Sequence, residues 1–170
     1  MILGSEIEGF KIVNSLGEEI GKIKGVIVDT TKKDWKIKDV IVSKGMMKGK
    51  GTFPVNAIKN FDKSEKKIEL NEFIDIKEFD EEKFSHEYIS MDEVKDRDIF
   101  GSDEEEIGKI FDYVISTELS PWQVTKLLIR PHKERLKGRR IRLDVENVTQ
   151  IKDLITVKYS KEELEKKAEK

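Results

Sequence analysis

The feature that most constrains this chain is that it contains itself twice. Gly21 and Gly108 lie 87 residues apart, as do Trp35 and Trp122. At that one offset the string EEIGKI, Glu18–Ile23, recurs unchanged at Glu105–Ile110. Ile12, Ser15 and Thr30 likewise find their own kind at Ile99, Ser102 and Thr117. Apolar character carries over from Val26–Val28 to Tyr113–Ile115, and from Val40–Val42 to Leu127–Ile129, with no gap. Further on, Val55, Ile58 and Phe61 correspond to Val145, Val148 and Ile151 at an offset of 90, so the second copy has three extra residues in the loop between. An ungapped correspondence of this length is a duplication. A duplicated chain of 170 residues is two small units rather than one medium domain.

Each copy reads as short strands. Segments such as Ile20–Asp29 and Lys36–Val42 are rich in β-branched residues and bounded by Gly, Asn, Asp or Lys. Neither carries the 3.6-residue period of a helix. Strands at this spacing predict an all-β fold of two tandem small β-barrels, since closure removes exposed edges. Gly21 and Gly108 fall early in a strand, where glycine marks a bend or a close backbone approach. The expected division is 1–76 for the first unit, 77–90 for a joint, 91–159 for the second unit and 160–170 for a charged tail. In that tail Ser160 and Glu163 fit a capping box, and Lys161–Lys170 consists of helix formers with few apolar residues, which predicts a short, solvated C-terminal helix.

Composition sets the energetic terms. Hydrophobic residues make up 36% of the chain and charged ones 40%, so the core is thin. Units this small bury a modest fraction of their surface. They are expected to pack on each other or to form a homodimer. With no cysteine, disulfides and thiolate metal sites are excluded, and a reducing cytoplasm is the expected setting. The first ten residues carry no secretory pattern, and the apolar runs of about three residues are far below the ~20 that cross a bilayer. Abundant Lys and Glu also suits a thermophile. The net charge of −2 favours no class of partner.

Residues 6–29, EIEGFKIVNSLGEEIGKIKGVIVD, resemble the PRC-barrel domain. The likeness lies in an entry strand, a turn with Gly or Asp, an Ile-Gly-Lys step and an apolar strand ending in Asp29. The second copy, EVKDRDIFGSDEEEIGKIFDYVIS, resembles it with less of the pattern, having Ser116 in place of that Asp. Phe53-Pro54-Val55 is similar to the family's short Pro-containing segment, whereas Arg142-Leu143-Asp144-Val145 lacks the proline. The resemblance implies a barrel that serves as a binding module. Members are found in a ribosome-maturation factor, in a photosynthetic reaction-centre subunit and in archaeal division assemblies. It implies no active site. The chain is therefore expected to be a non-enzymatic adaptor or scaffold without cofactor or metal, its partner another protein. The alternative is association with RNA or the ribosome.

Several features carry candidate chemistry. The loop Lys44–Thr52 superficially suggests a phosphate-binding loop, but only Met46, Met47 and Lys48 separate Gly45 from Gly49, and Gly51 follows Lys50, so the motif fails. Met46 and Met47 are instead candidate contacts, because adjacent exposed methionines adapt to a partner. The strongest charge feature is 130–142, where Arg130, Lys133, Arg135, Lys137, Arg139, Arg140 and Arg142 oppose Glu134 for a net of +6. It suits an anionic partner. It equally suits solvent, or the joint at 73–98, whose ten acids and four bases give −6. His86 and His132 have no ligand-spaced neighbours and are read as surface histidines. Trp35 and Trp122, at equivalent places, are read as structural plugs of a thin core.

Overall fold

In a computed structural model the protein is described over residues 1–43, 49–71, 74, 76–79 and 88–170. The first half runs β1 (Ile2–Leu3), α1 (Gly4–Ile7), β2 (Lys11–Val13), β3 (Glu19–Asp29), β4 (Trp35–Ser43), β5 (Lys50–Pro54), a 3-10 turn (Val55–Ala57), β6 (Ile58–Asp62), β7 (Lys67–Leu70) and β8 (Lys77–Glu78). The second runs β9 (Tyr88–Ser90), α2 (Met91–Val94), β10 (Asp98–Phe100), β11 (Glu106–Ser116), β12 (Gln123–Pro131), β13 (Ile141–Asp144), a 3-10 turn (Val145–Asn147), β14 (Val148–Gln150) and β15 (Ile155–Val157). A 3-10 turn at Glu134–Leu136 and a final helix, α3 (Lys161–Glu165), have no described equivalent in the first half. The fold is all-β with short helices, as the strand pattern predicts.

The hydrogen-bonded order is β14-β15-β10-β11-β12-β4-β3-β2-β7-β6. Under the repeat, at an offset of 87 residues and of 90 for β6 and β14, this order reads the same from either end. At its centre Lys36 pairs with Gln123, its own counterpart (123 − 36 = 87), so a pseudo-twofold axis passes between them. Ile37 N–H donates to Trp122 O at 2.8 Å beside it. The irregularities repeat too. Register shifts at Ile12/Val13, Ile23/Gly25 and Ile27/Val28 recur at Ile99/Phe100, Ile110/Asp112 and Val114/Ile115. Such bulges bend a strand and raise its twist, which curls each half around its core. The three-residue insertion is also reversed. Ile12 pairs with Ile68 and Ile99 with Ile155, and 155 − 68 is again 87.

Two closed, self-contained barrels were the expectation, and here the structure differs. The sheet is not closed, and it is one sheet among the described residues. The reason is a reciprocal exchange. β1 pairs with β11 of the second half, Ile2 opposite Ile115. Its equivalent β9 pairs with β3 of the first half, Ile89 opposite Val28. Each half therefore lends its opening strand to the other. Most of the buried apolar residues form one cluster spanning both halves, with Ile2, Ile7, Met91 and Val94 at most 2% exposed, while Ile27 and Ile41 form a small second one. The packing of the copies on each other is thus found within one chain.

The joint and the tail turn out to be equivalent. β8 lies along β5, and Phe79 N–H donates to Lys50 O at 3.0 Å. Ninety residues on, Arg140 and Glu169 exchange two backbone hydrogen bonds of 2.7 Å. In both halves the returning chain covers the same sheet edge. The tail is accordingly not solvated throughout. Its capping box forms between Ser160 and Glu163, the helix is the five residues Lys161–Glu165, and Leu164 is fully buried.

Glycines show how tightly this is built. A Cβ on Gly21 would sit 2.0 Å from Ser43 O, and one on Gly108 2.0 Å from Arg130 O. Within EEIGKI the glycine and the second isoleucine are buried in both copies while the first glutamate and the lysine face water. Glu106 is half-buried and turns toward His132.

Candidate functional site

The seven basic residues of 130–142 do not all face solvent alike. Arg130 leaves β12 with its guanidinium 4.7 Å from the Phe111 ring. Lys133 Nζ lies 3.3 Å from Glu165, a buried carboxylate at the end of α3. Arg142 Nε lies 3.9 Å from Glu169. Arg140 is tied to the same tail through its backbone. Lys133 and Arg142 are thus engaged by the C-terminal acids, and Arg140 is held by the tail's backbone. Residues 80–87 of the acidic joint lie outside the described residues. Arg135, Lys137 and Arg139 are exposed and have no ion pair among the described residues. Met46 and Met47 lie outside the described residues.

Both tryptophans are buried, Trp35 at 2% and Trp122 at 8% exposed. Trp122 meets Phe61 edge-on at 5.2 Å, and Phe61 stacks on Phe10 at 5.8 Å. The plug reading holds, yet Trp122 does one thing more. It floors a cleft of about 730 Å³ between the halves, lined by residues of 54–61 on one side and by 117–122 on the other. The pseudo-twofold axis generates a mate to this cleft. Residues 30–35 and 145–151 line it, and it holds about 240 Å³.

The two clefts form an internal comparison, because a shared ancestor would make them alike. Where the small one has Lys32, the large one has Leu119, and Pro121 lines the large one as well. Phe61 stands where the small one has Ile151. Leu119 is 42% exposed, and Ile58 and Phe61 are half-buried. Lys38, Lys59 and Glu118 lie around this apolar floor. β6, which supplies Ile58, Lys59 and Phe61, is the last strand of the sheet path, and β7 is its only partner among the described strands. An open apolar groove beside an unpaired strand edge accepts an extended chain: backbone groups give the affinity and alternate side chains the specificity. Sequence reasoning missed this groove. The available signal was Leu-Ser-Pro at 119–121 in a turn whose counterpart is Lys-Lys-Asp.

His132 also proves less isolated than its spacing suggested. Its Nδ1 is 3.2 Å from Glu106 and its Nε2 is 3.9 Å from Asp98. Those partners lie 26 and 34 residues upstream and only strand register brings them near. At the turn after β3, Asp29 accepts from Thr31 N at 2.9 Å and from Thr31 Oγ1 at 2.6 Å. The Thr31 hydroxyl bond chiefly lowers the Asp29 pKa from its ordinary value, with nearby Lys32 and Lys38 adding to it.

Residues 1–75 match the family model of the PRC-barrel domain. That region holds β1 to β7. The kinship of the second half to the first rests on the repeated sequence and the mirrored strand order. No curated protein matches the chain. No helix among the described residues is long and apolar enough to cross a membrane.

Proposed function

We propose that this chain is a non-enzymatic adaptor, a tandem PRC-barrel-like scaffold that holds a partner protein in the cleft beside Trp122. The observation that carries the reading is the divergence of the two related clefts. One has Lys32 and Lys33 on its wall and little space, while the other has Leu119, Pro121 and Phe61 and about three times the volume. An exposed apolar surface costs solubility unless something covers it. The unpaired edge of β6 favours an extended, apolar partner segment over a small molecule. The absence of cysteine fits a cytoplasmic setting.

Selection of short random peptides displayed on phage against the whole chain tests this. Enriched peptides should be apolar and β-prone, should shift amide resonances across 54–61 and 117–122, and should lose binding to Leu119→Glu. Leu119 is exposed, so that variant keeps its fold. Perturbations confined to other surfaces, or no enrichment at all, would count against the adaptor reading.

A second reading rests on the exposed Arg135, Lys137 and Arg139. An RNA or ribosomal partner there would bind with a steep salt dependence, because phosphate contacts release counterions. Arg139→Glu with Arg140→Glu should then weaken binding at every salt concentration. Salt-independent binding excludes this reading.

A further inference from the structure

One cluster in the second half has no counterpart in the first. Asp98 opens β10, Glu106 opens β11 and His132 directly follows β12. These strands are neighbours in the sheet, in the order β10-β11-β12. Gly108 pairs with Pro131, and His132 N–H donates to Ile107 O at 2.9 Å. In the antiparallel register Asp98 lies opposite Lys109 and Glu106 opposite Phe100, so the three side chains rise from neighbouring strands of one three-stranded platform. One ligand atom from each lies within 4.8 Å of the others. At the same offset the first half carries Lys11, Glu19 and Gly45, so a cation at that place would meet one carboxylate and a competing ammonium.

A second observation points the same way. Asp98 Oδ1 is buried and accepts no hydrogen bond, although the side chain as a whole is 41% exposed. Buried polar atoms are nearly always partnered, because an unpartnered one has lost its water for nothing. The one basic group within 4.0 Å of this oxygen among the described residues is the His132 imidazole at 3.9 Å, beyond hydrogen-bond reach. A cation seated between the carboxylates and the ring would satisfy it.

We infer that Asp98, Glu106 and His132 form a site for a divalent transition-metal ion of the zinc class. One imidazole nitrogen and two carboxylate oxygens are borderline-to-hard donors, suited to Zn²⁺, Co²⁺ or Mn²⁺ and ill suited to soft Cu⁺. Bonds of about 2.0–2.1 Å to a tetrahedral ion set neighbouring donors roughly 3.3 Å apart. Glu106 and His132 already stand at 3.2 Å. Asp98 and Glu106 face different ring nitrogens, so binding turns the ring or swings one carboxylate. Side-chain exposures of 40–44% leave room for that movement. Three protein donors leave the remaining position to water or to a donor from a partner, so the ion is placed to bridge as well as to brace the strand ends.

Titration of the tag-free whole chain with Zn²⁺ and with Co²⁺ decides the matter, by calorimetry and by visible absorption of bound Co²⁺. One equivalent should bind with micromolar or tighter affinity. His132→Ala and Asp98→Asn should weaken binding by about 100-fold or more. His86→Ala, the only other histidine, should leave it unchanged. Thermal melts of all variants in chelator should coincide, since the three groups are partly exposed. Absence of saturable binding, or binding that survives His132→Ala, overturns the site and leaves a histidine held between two acids.

Discussion

Gly4 and Tyr113 record how the two halves drifted apart while their contact stayed filled. A Cβ on Gly4 would lie 2.2 Å from Tyr113 Cζ, so the ring occupies the space a side chain would need. Across the pseudo-twofold axis the same two places hold Met91 and Val26, both fully buried. Large against small has been exchanged for small against large. A similar trade places Ser5 on Asp112, where Ser5 N–H donates at 3.1 Å, while Gly25 leaves room for Asp92. Gly4→Ala should destabilise the fold by about 1–3 kcal/mol, because Tyr113 is enclosed and cannot yield. Adding Tyr113→Val should recover much of that loss in a double-mutant cycle followed by urea denaturation. Additive losses would mean the two residues do not share this space.

Tyr113 also yields a pH prediction. Its pKa is raised well above the ordinary 10.0, first by burial and then by the nearby charges of Asp92, Asp112 and Glu8. The unfolded chain ionises this phenol near its ordinary value, whereas the folded chain holds the proton. The stability tied to the neutral phenol is complete below pH 10 and declines as pH rises beyond it. Alkaline titration of stability should therefore fall more gently in Tyr113→Phe than in the natural chain above pH 10. Equal slopes would show that this phenol is not protected.

Among the elements, the basic stretch after β12 is where charge reads differently in sequence and in space. Its composition was plain in the sequence, but its partners were not. The acids that engage it lie on the tail, which returns to pair with Arg140 as β8 pairs with β5. That equivalence could not be seen from residue types, because Lys77–Phe79 and Lys167–Glu169 share no motif. Lys133 is the critical member. Its removal as Lys133→Ala leaves the buried Glu165 carboxylate without a counter-charge, and such a group costs about 1–3 kcal/mol. Arg139→Ala should change stability by less than about 0.5 kcal/mol. Thermal denaturation of the two variants side by side checks the contrast, and similar losses would show that the loop acts only through its net charge.

At the scale of the whole molecule, the repeat was legible because it lies along the chain, and the exchange was not because it lies across it. EEIGKI specified the strand, the close approach at the glycine and the copy number. Nothing in Ile2–Ile7 says that these residues belong to the sheet of the second half, since a two-residue strand has no pattern of its own. The cleft and the His132 cluster share that fate, each assembled from segments that only the strand register brings together. The exchange predicts how the molecule comes apart. With one core, the chain should unfold in urea as a single transition, with Trp35 and Trp122 reporting the same midpoint when each is the sole tryptophan. Deleting residues 1–7 removes Ile2 and Ile7, worth about 1.5–3 kcal/mol each, from a total stability of roughly 5–15 kcal/mol. The damage should appear far along the sequence. Amides of Val114–Ser116, opposite the deleted strand, should lose protection against hydrogen exchange, while Lys67–Leu70 keep theirs relative to the global rate. Deprotection confined to the first half would contradict the reciprocal pairing, because it would mean that each half completes its sheet with its own residues.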